Sequence, residues 1–136
     1  MDANLKNIDF LKIEAMVEDD VEFRNQLLDA IQVAVEELEE VYLRGISEKD
    51  LNTIKMSRHK IKPTLGLFDL QRLATLLAKG KRLMVEKGFS EEIEPHKEEF
   101  RAATKAVLEE IKNYYHPTKI KSTIKSLLMF RLRGIF

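Results

Sequence analysis

The stretch IKMSRHKIKPTLGLFDLQRLATLL, residues 54–77, decides the fold. Ile54, Ile61, Leu65 and Phe68 stand at offsets of 0, 7, 11 and 14. At ~100° per residue they cluster within about 60° of one another on a helix. Continuing the same phase carries Leu70, Leu73 and Leu77 to the opposite side. One straight helix cannot bury both stripes against one core, so the chain turns near Phe68-Asp69 and the stretch is two helices. Asp69 is the expected N-cap of the second, which runs over about 70–84.

The segments on either side are also helical. A short first helix over about 8–17 carries Phe10, Leu11 and Ala15, and in the following Glu18-Asp19-Asp20 either aspartate can cap the next helix. That helix, about 20–44, presents Phe23, Leu27, Ile31, Ala34, Leu38 and Val41 as one apolar stripe. Gly45 reads as its stop. Ser47, three residues before Asp50, reads as a loose capping box opening the third helix. Gly88 and Ser90 break the chain again. A last helix, about 91–113, buries Ile93, Phe100, Ala103, Val107, Leu108 and Ile111 and ends at His116-Pro117. The predicted fold is all-α: an antiparallel up-down four-helix bundle with the first short helix as a cap, spanning residues 1–113.

Composition narrows the function. The chain has 136 residues, 44% hydrophobic and 34% charged, with five glycines and three prolines, which suits one helical domain with a real core. It has no cysteine, so disulfides, thiolate metal sites and cysteine nucleophiles are excluded, and a reducing cytoplasm fits. No apolar run approaches the ~18 residues of a membrane span, and the N-terminus lacks a signal-peptide core. Residues 114–136 carry five basic residues and no acidic one; removing those five from 23 of each sign leaves 18 basic against 23 acidic, a net of −5. Nucleic-acid binding by the main domain is therefore not expected.

Within 54–68, His59 lies about 140° from the apolar stripe, with Lys62, Gly66 and Pro63 at about 80°, 120° and 180°. The four share a face directed away from the core. Lys62, one turn beyond His59, can reach an anion held on the imidazole. Gly66 removes bulk where another molecule's backbone can approach. Pro63 cannot bond the carbonyl of His59, and its ring presses on that carbonyl. A neutral imidazole is a competent nucleophile. No hydrolytic triad, no second helical histidine for a metal and no glycine-rich phosphate loop accompanies it. What remains is a histidine that accepts a group from a partner protein. His96 and His116 read as residues without a role, one among charges and the other beside a proline.

His59-Lys60-Ile61-Lys62-Pro63-Thr64-Leu65-Gly66, with Leu70 and Leu73 beyond, resembles the signature of histidine phosphotransfer domains, a histidine followed by x-hydrophobic-Lys-Gly, small residues and a glycine. The resemblance covers roughly residues 8–113. It implies a monomeric four-helix bundle and a phosphorelay carrier without kinase activity. His59 would take a phosphoryl group from the aspartate of a response-regulator receiver domain and pass it to another, a hybrid sensor kinase being one source. It also implies that Lys62 pairs with the phosphoryl oxygens and that Gly66 leaves room for the docking receiver, with Pro63, Arg58 and Lys60 around the docking surface. The receiver supplies Mg²⁺, so the chain needs no cofactor and no metal of its own. The chain departs from the pattern at Pro63, where the family has glycine, and at Arg58, where it has a small residue.

Two other readings compete. The phosphoacceptor and dimerisation hairpin of sensor histidine kinases has H-E-hydrophobic-R-T-P-L, but Lys60 stands in place of its acid and the hairpin needs only two helices. A helical adaptor without chemistry is the other. The tail, 114–136, carries Ile120, Ile124, Leu127, Leu128 and Leu132 as a basic amphipathic helix. Docking on the chain's own acidic domain, or a non-native extension, is the expectation there, ahead of an anionic membrane surface; holding a partner is the remaining reading.

Overall fold

The computed structural model describes residues 4–135, with the side chains of residues 4–114. These residues form five α-helices and no strand: α1 (Phe10–Val17), α2 (Val21–Ser47), α3 (Leu51–Leu67), α4 (Gln71–Lys87) and α5 (Ile93–Ile135). α2 packs on α3 and α5, α4 packs on the same two helices, and α1 lies against α2. The fold is all-α and bundle-like. Among the described residues no helix is long and apolar enough to cross a membrane.

Aspartates open three of the helices. Asp9 caps α1 by accepting from the Leu11 amide, Asp20 caps α2 by accepting from Phe23, and Asp50 caps α3 by accepting from Asn52 and Thr53. Each satisfies amides that the first turn leaves without helical partners. Ser47 is the last residue of α2, so it takes no part in a capping box; Asp50 caps alone.

The turn at 68–70 falls where the two apolar stripes change phase, but its chemistry differs from the expected N-cap. Asp69 has φ +57, and the Leu70 amide donates back to the Leu65 carbonyl at 3.0 Å, so Asp69 serves as the left-handed stop of α3. Leu70, fully buried, takes the cap position of α4 with no side-chain bond. Burial of Leu70 decides the conformation, and the Asp69 carboxylate is left to accept from Gln71 Nε2 at 3.0 Å.

Four further expectations need correction. Gly45 does not end α2. It lies inside the helix, where a Cβ would come within 2.7 Å of Ile54 Cγ1, so the glycine allows α3 to start close against α2. α1 buries Ile13 and Val17 and leaves Leu11 81% exposed, because two turns of helix hold too few residues to fix a face by pattern. The core stripe of α2 is Leu28, Ile31, Val35, Leu38, Tyr42 and Ile46, which keeps Ile31 and Leu38 and lies one residue along from Leu27, Ala34 and Val41. α5 does not end at His116-Pro117 but continues to Ile135. One proline removes one helical hydrogen bond at a cost of roughly 3 kcal/mol, which a long helix with good formers on both sides tolerates. The apolar and basic side chains read over 120–133 lie outside those described.

Candidate functional site

The α2 shift has a consequence at the predicted site. Leu27, Ala34 and Val41, expected in the core, are only half-buried. Ala34, Leu38 and Val41 form one wall of a groove of about 640 Å³ between α2 and α3. Met56, Ser57 and Ile61 form the other, and His59 and Lys60 stand on its rim. The apolar surface of α2 is thus wider than the core needs. One half packs inward, and the other faces the groove beside His59.

α3 reaches this position through its own inward side. Ile54, Ser57 and Ile61 are buried, the Ser57 hydroxyl donating to the Ile54 carbonyl at 2.7 Å. That leaves His59, Lys62, Pro63 and Gly66 exposed, as their helical phase requires. Pro63 sits inside α3. Having no amide hydrogen, it leaves the His59 carbonyl without its helical donor, on the solvent side.

The charged neighbours divide by direction. Lys60 crosses to α2 and pairs with Glu37. Arg58 is half-buried, and its charge acts on the Tyr42 hydroxyl. Lys62 is exposed and, among the described residues, has no carboxylate within ion-pair distance, so it is the cation most open to an anion beside His59. At Gly66 an added Cβ would meet nothing within 4 Å. No packing within the described residues calls for glycine there, although a glycine inside a helix costs about 1 kcal/mol relative to alanine. Among the described residues no cluster of His, Cys, Asp or Glu is arranged to hold a metal ion.

A second polar constellation lies in the core. His96 is 2% exposed, and its Nε2 stands 2.8 Å from the Tyr42 hydroxyl. Burial pushes the Tyr42 phenol up to about 12, opposed by Arg58, so the hydroxyl keeps its proton and shares a hydrogen bond with Nε2. The other ring nitrogen, Nδ1, is buried without a partner in the described structure. Gly80 makes room for the pair: a Cβ there would fall 2.3 Å from both His96 Nε2 and Tyr42 Oη. The position of His96, three residues after Ile93 and four before Phe100, was a legible sign of burial, masked by the charges around it.

Burial lowers the His96 pKa from its ordinary value of 6.5, with Glu99 opposing and Lys79 assisting. The folded state therefore binds its proton less readily than the unfolded chain. Its contribution to stability is full above the unfolded pKa and declines as pH falls from there toward the lower folded value. Urea midpoints measured from about pH 7.5 to about pH 5 are expected to fall more steeply for the wild type than for a His96→Gln chain. Equal slopes would remove His96 as the cause.

No protein family matches the chain, and neither a curated protein nor a solved structure does.

Proposed function

We propose that the chain is a phosphohistidine carrier of the histidine phosphotransfer type. In this reading α2 to α5 run antiparallel around the core, with α1 laid across one end. It acts as a cytoplasmic monomer between receiver domains, with no ATP chemistry and no cofactor of its own. The observation that carries it is one face of α3: an exposed histidine, an unpaired lysine one turn on and a bare glycine beyond, all beside an apolar groove.

The chemistry follows from these groups. A lone pair of the neutral His59 imidazole attacks the phosphorus of a receiver's aspartyl phosphate. The N–P bond forms, the P–O bond to the aspartate breaks, and the carboxylate leaves with the electron pair. The second ring nitrogen keeps its proton, which makes the ring a better leaving group for onward transfer. Lys62 offsets charge on the phosphoryl oxygens, and the receiver's Mg²⁺ does so from the other side. The groove walls Ala34, Leu38, Val41, Met56 and Ile61 would bury an apolar element of the receiver, and Gly66 would let its backbone come close. Arg58 and Lys60 are the less direct members, since Arg58 is half-buried and Lys60 already pairs with Glu37. The test is transfer itself. A receiver domain carrying radiolabelled phosphate, incubated with the chain, should hand over label that is labile in acid and stable in base. A wild-type chain that stays unlabelled rejects the carrier.

Gly66 separates this reading from an inert bundle. Its backbone is helical, so Gly66→Ala should stabilise the fold by about 0.5–1 kcal/mol. The same change should slow phosphoryl uptake about tenfold or more by pushing the docking receiver away. Stabilisation without slowing in a competent carrier would show that no partner approaches at Gly66.

A further inference from the structure

The carrier reading leaves residues 115–135 without a role, although α5 carries them as helix to Ile135. At 1.5 Å per residue they span about 30 Å. The deepest α5 side chains in the core end at Ile111, and Tyr114 stacks on Phe10 of α1 with ring centroids 4.1 Å apart. The helix continues past these contacts.

At ~100° per residue, Ile120, Ile124, Leu127 and Leu128 fall within about 100° of one another, an aliphatic arc that runs to Leu128 and that Arg131 interrupts one turn later. Over 118–128, Lys119, Lys121 and Lys125 lie at or beyond the edges of that arc, with Thr118, Ser122, Thr123 and Ser126 across the rest. All five charged residues of 114–136 are basic. A helix with one aliphatic face, flanking lysines and no acid matches an interface of hydrocarbon under anionic headgroups.

The grooves on the bundle match it less well. The α2/α3 groove is apolar, but its rim sets Lys55 and Lys60 against Glu37 alone, which opposes a basic helix. The groove between α2 and α5 has acidic residues, but only Leu108 and Ile111 to cover an aliphatic face.

We infer that residues 115–135 of α5 form a cationic amphipathic helix that lies on anionic lipid and holds the bundle at a membrane surface. The attraction is local, since residues 1–113 carry a net charge of −5 and are themselves repelled. This inference does not depend on His59.

Co-sedimentation of the full chain with vesicles tests it, using phosphatidylcholine alone and phosphatidylcholine with about one third phosphatidylserine. Binding to the anionic vesicles should be at least about tenfold tighter and weaken with salt. Two variants separate the components, and both changes lie beyond the described core contacts, so the bundle's thermal transition should be unaltered. Lys119→Glu/Lys121→Glu/Lys125→Glu should bind no better than wild type binds neutral lipid, and Leu127→Ser/Leu128→Ser should lose most binding with charge intact. Wild-type chain that ignores both vesicles, or binds both equally, overturns the inference. So does full binding by the leucine variant, or tail-dependent self-association that replaces vesicle binding. His59→Gln should bind vesicles as wild type does, so failure of the carrier reading and failure of this one are separable.

Discussion

A His59→Gln chain is expected to accept no phosphoryl label from a phosphorylated receiver domain, while its urea midpoint stays at the wild-type value. Glutamine keeps polarity and reach at this position but has no nucleophilic ring nitrogen, so the N–P bond cannot form. The side chain is exposed and outside the core, and substitutions at such positions usually change stability by no more than about 0.5 kcal/mol. Lys62→Ala should leave the acceptor in place and slow uptake by about 10- to 100-fold, below the loss seen at enclosed anion sites because this one is open to water. Lys60→Ala should do less, since Lys60 is already engaged by Glu37. Equal labelling of wild type and His59→Gln, or label that survives acid, would place the phosphoryl group elsewhere or nowhere.

The second large effect is structural. Gly80→Ala should destabilise the fold by about 2–5 kcal/mol, read as a lower urea midpoint with an unchanged slope. The new methyl would stand 2.3 Å from both His96 Nε2 and Tyr42 Oη. Both rings are buried and held by neighbours, Tyr42 by Phe100 at a centroid distance of 4.5 Å, so neither can swing clear without disturbing the core. Separating them also leaves two buried polar groups unpaired, at roughly 1–3 kcal/mol each. Tyr42→Phe removes one of the clashing atoms and should make the Gly80→Ala substitution less costly in the double variant than in the single one. A Gly80→Ala chain within about 0.5 kcal/mol of wild type would show that the cluster yields without cost.

The candidate site was legible because its signal is local. His59, Lys62, Pro63 and Gly66 lie within eight residues on one helix, and helical phase alone assigns them to the side away from Ile54 and Ile61. The division of charges around His59 was not legible. Arg58 and Lys60 flank the histidine in sequence, yet Arg58 is half-buried with its charge felt at Tyr42, and Lys60 pairs with Glu37 of α2. Those partners lie sixteen and twenty-three residues upstream, beyond the reach of any pattern within one helix. The Tyr42–His96 pair spans fifty-four positions and was hidden for the same reason.

Determined by the sequence alone are the helical class, the turn at Phe68-Asp69 and an aspartate cap on α2 from the Asp19-Asp20 pair, since each follows from periodicity or from hydrogen bonding within a few residues. Tertiary structure decided how each helix spends its apolar surface. α2 is apolar along two adjacent lines, and propensity weighs them alike. Contact with α3 and α5 puts Leu28, Val35 and Tyr42 inside and turns Ala34 and Val41 to the groove. It likewise changed Gly45 from a stop into a close-approach site and Asp69 from a cap into a left-handed turn. The physical reason is common to all three. Local rules give the options open to a residue, and burial against a distant neighbour selects among options of nearly equal local energy.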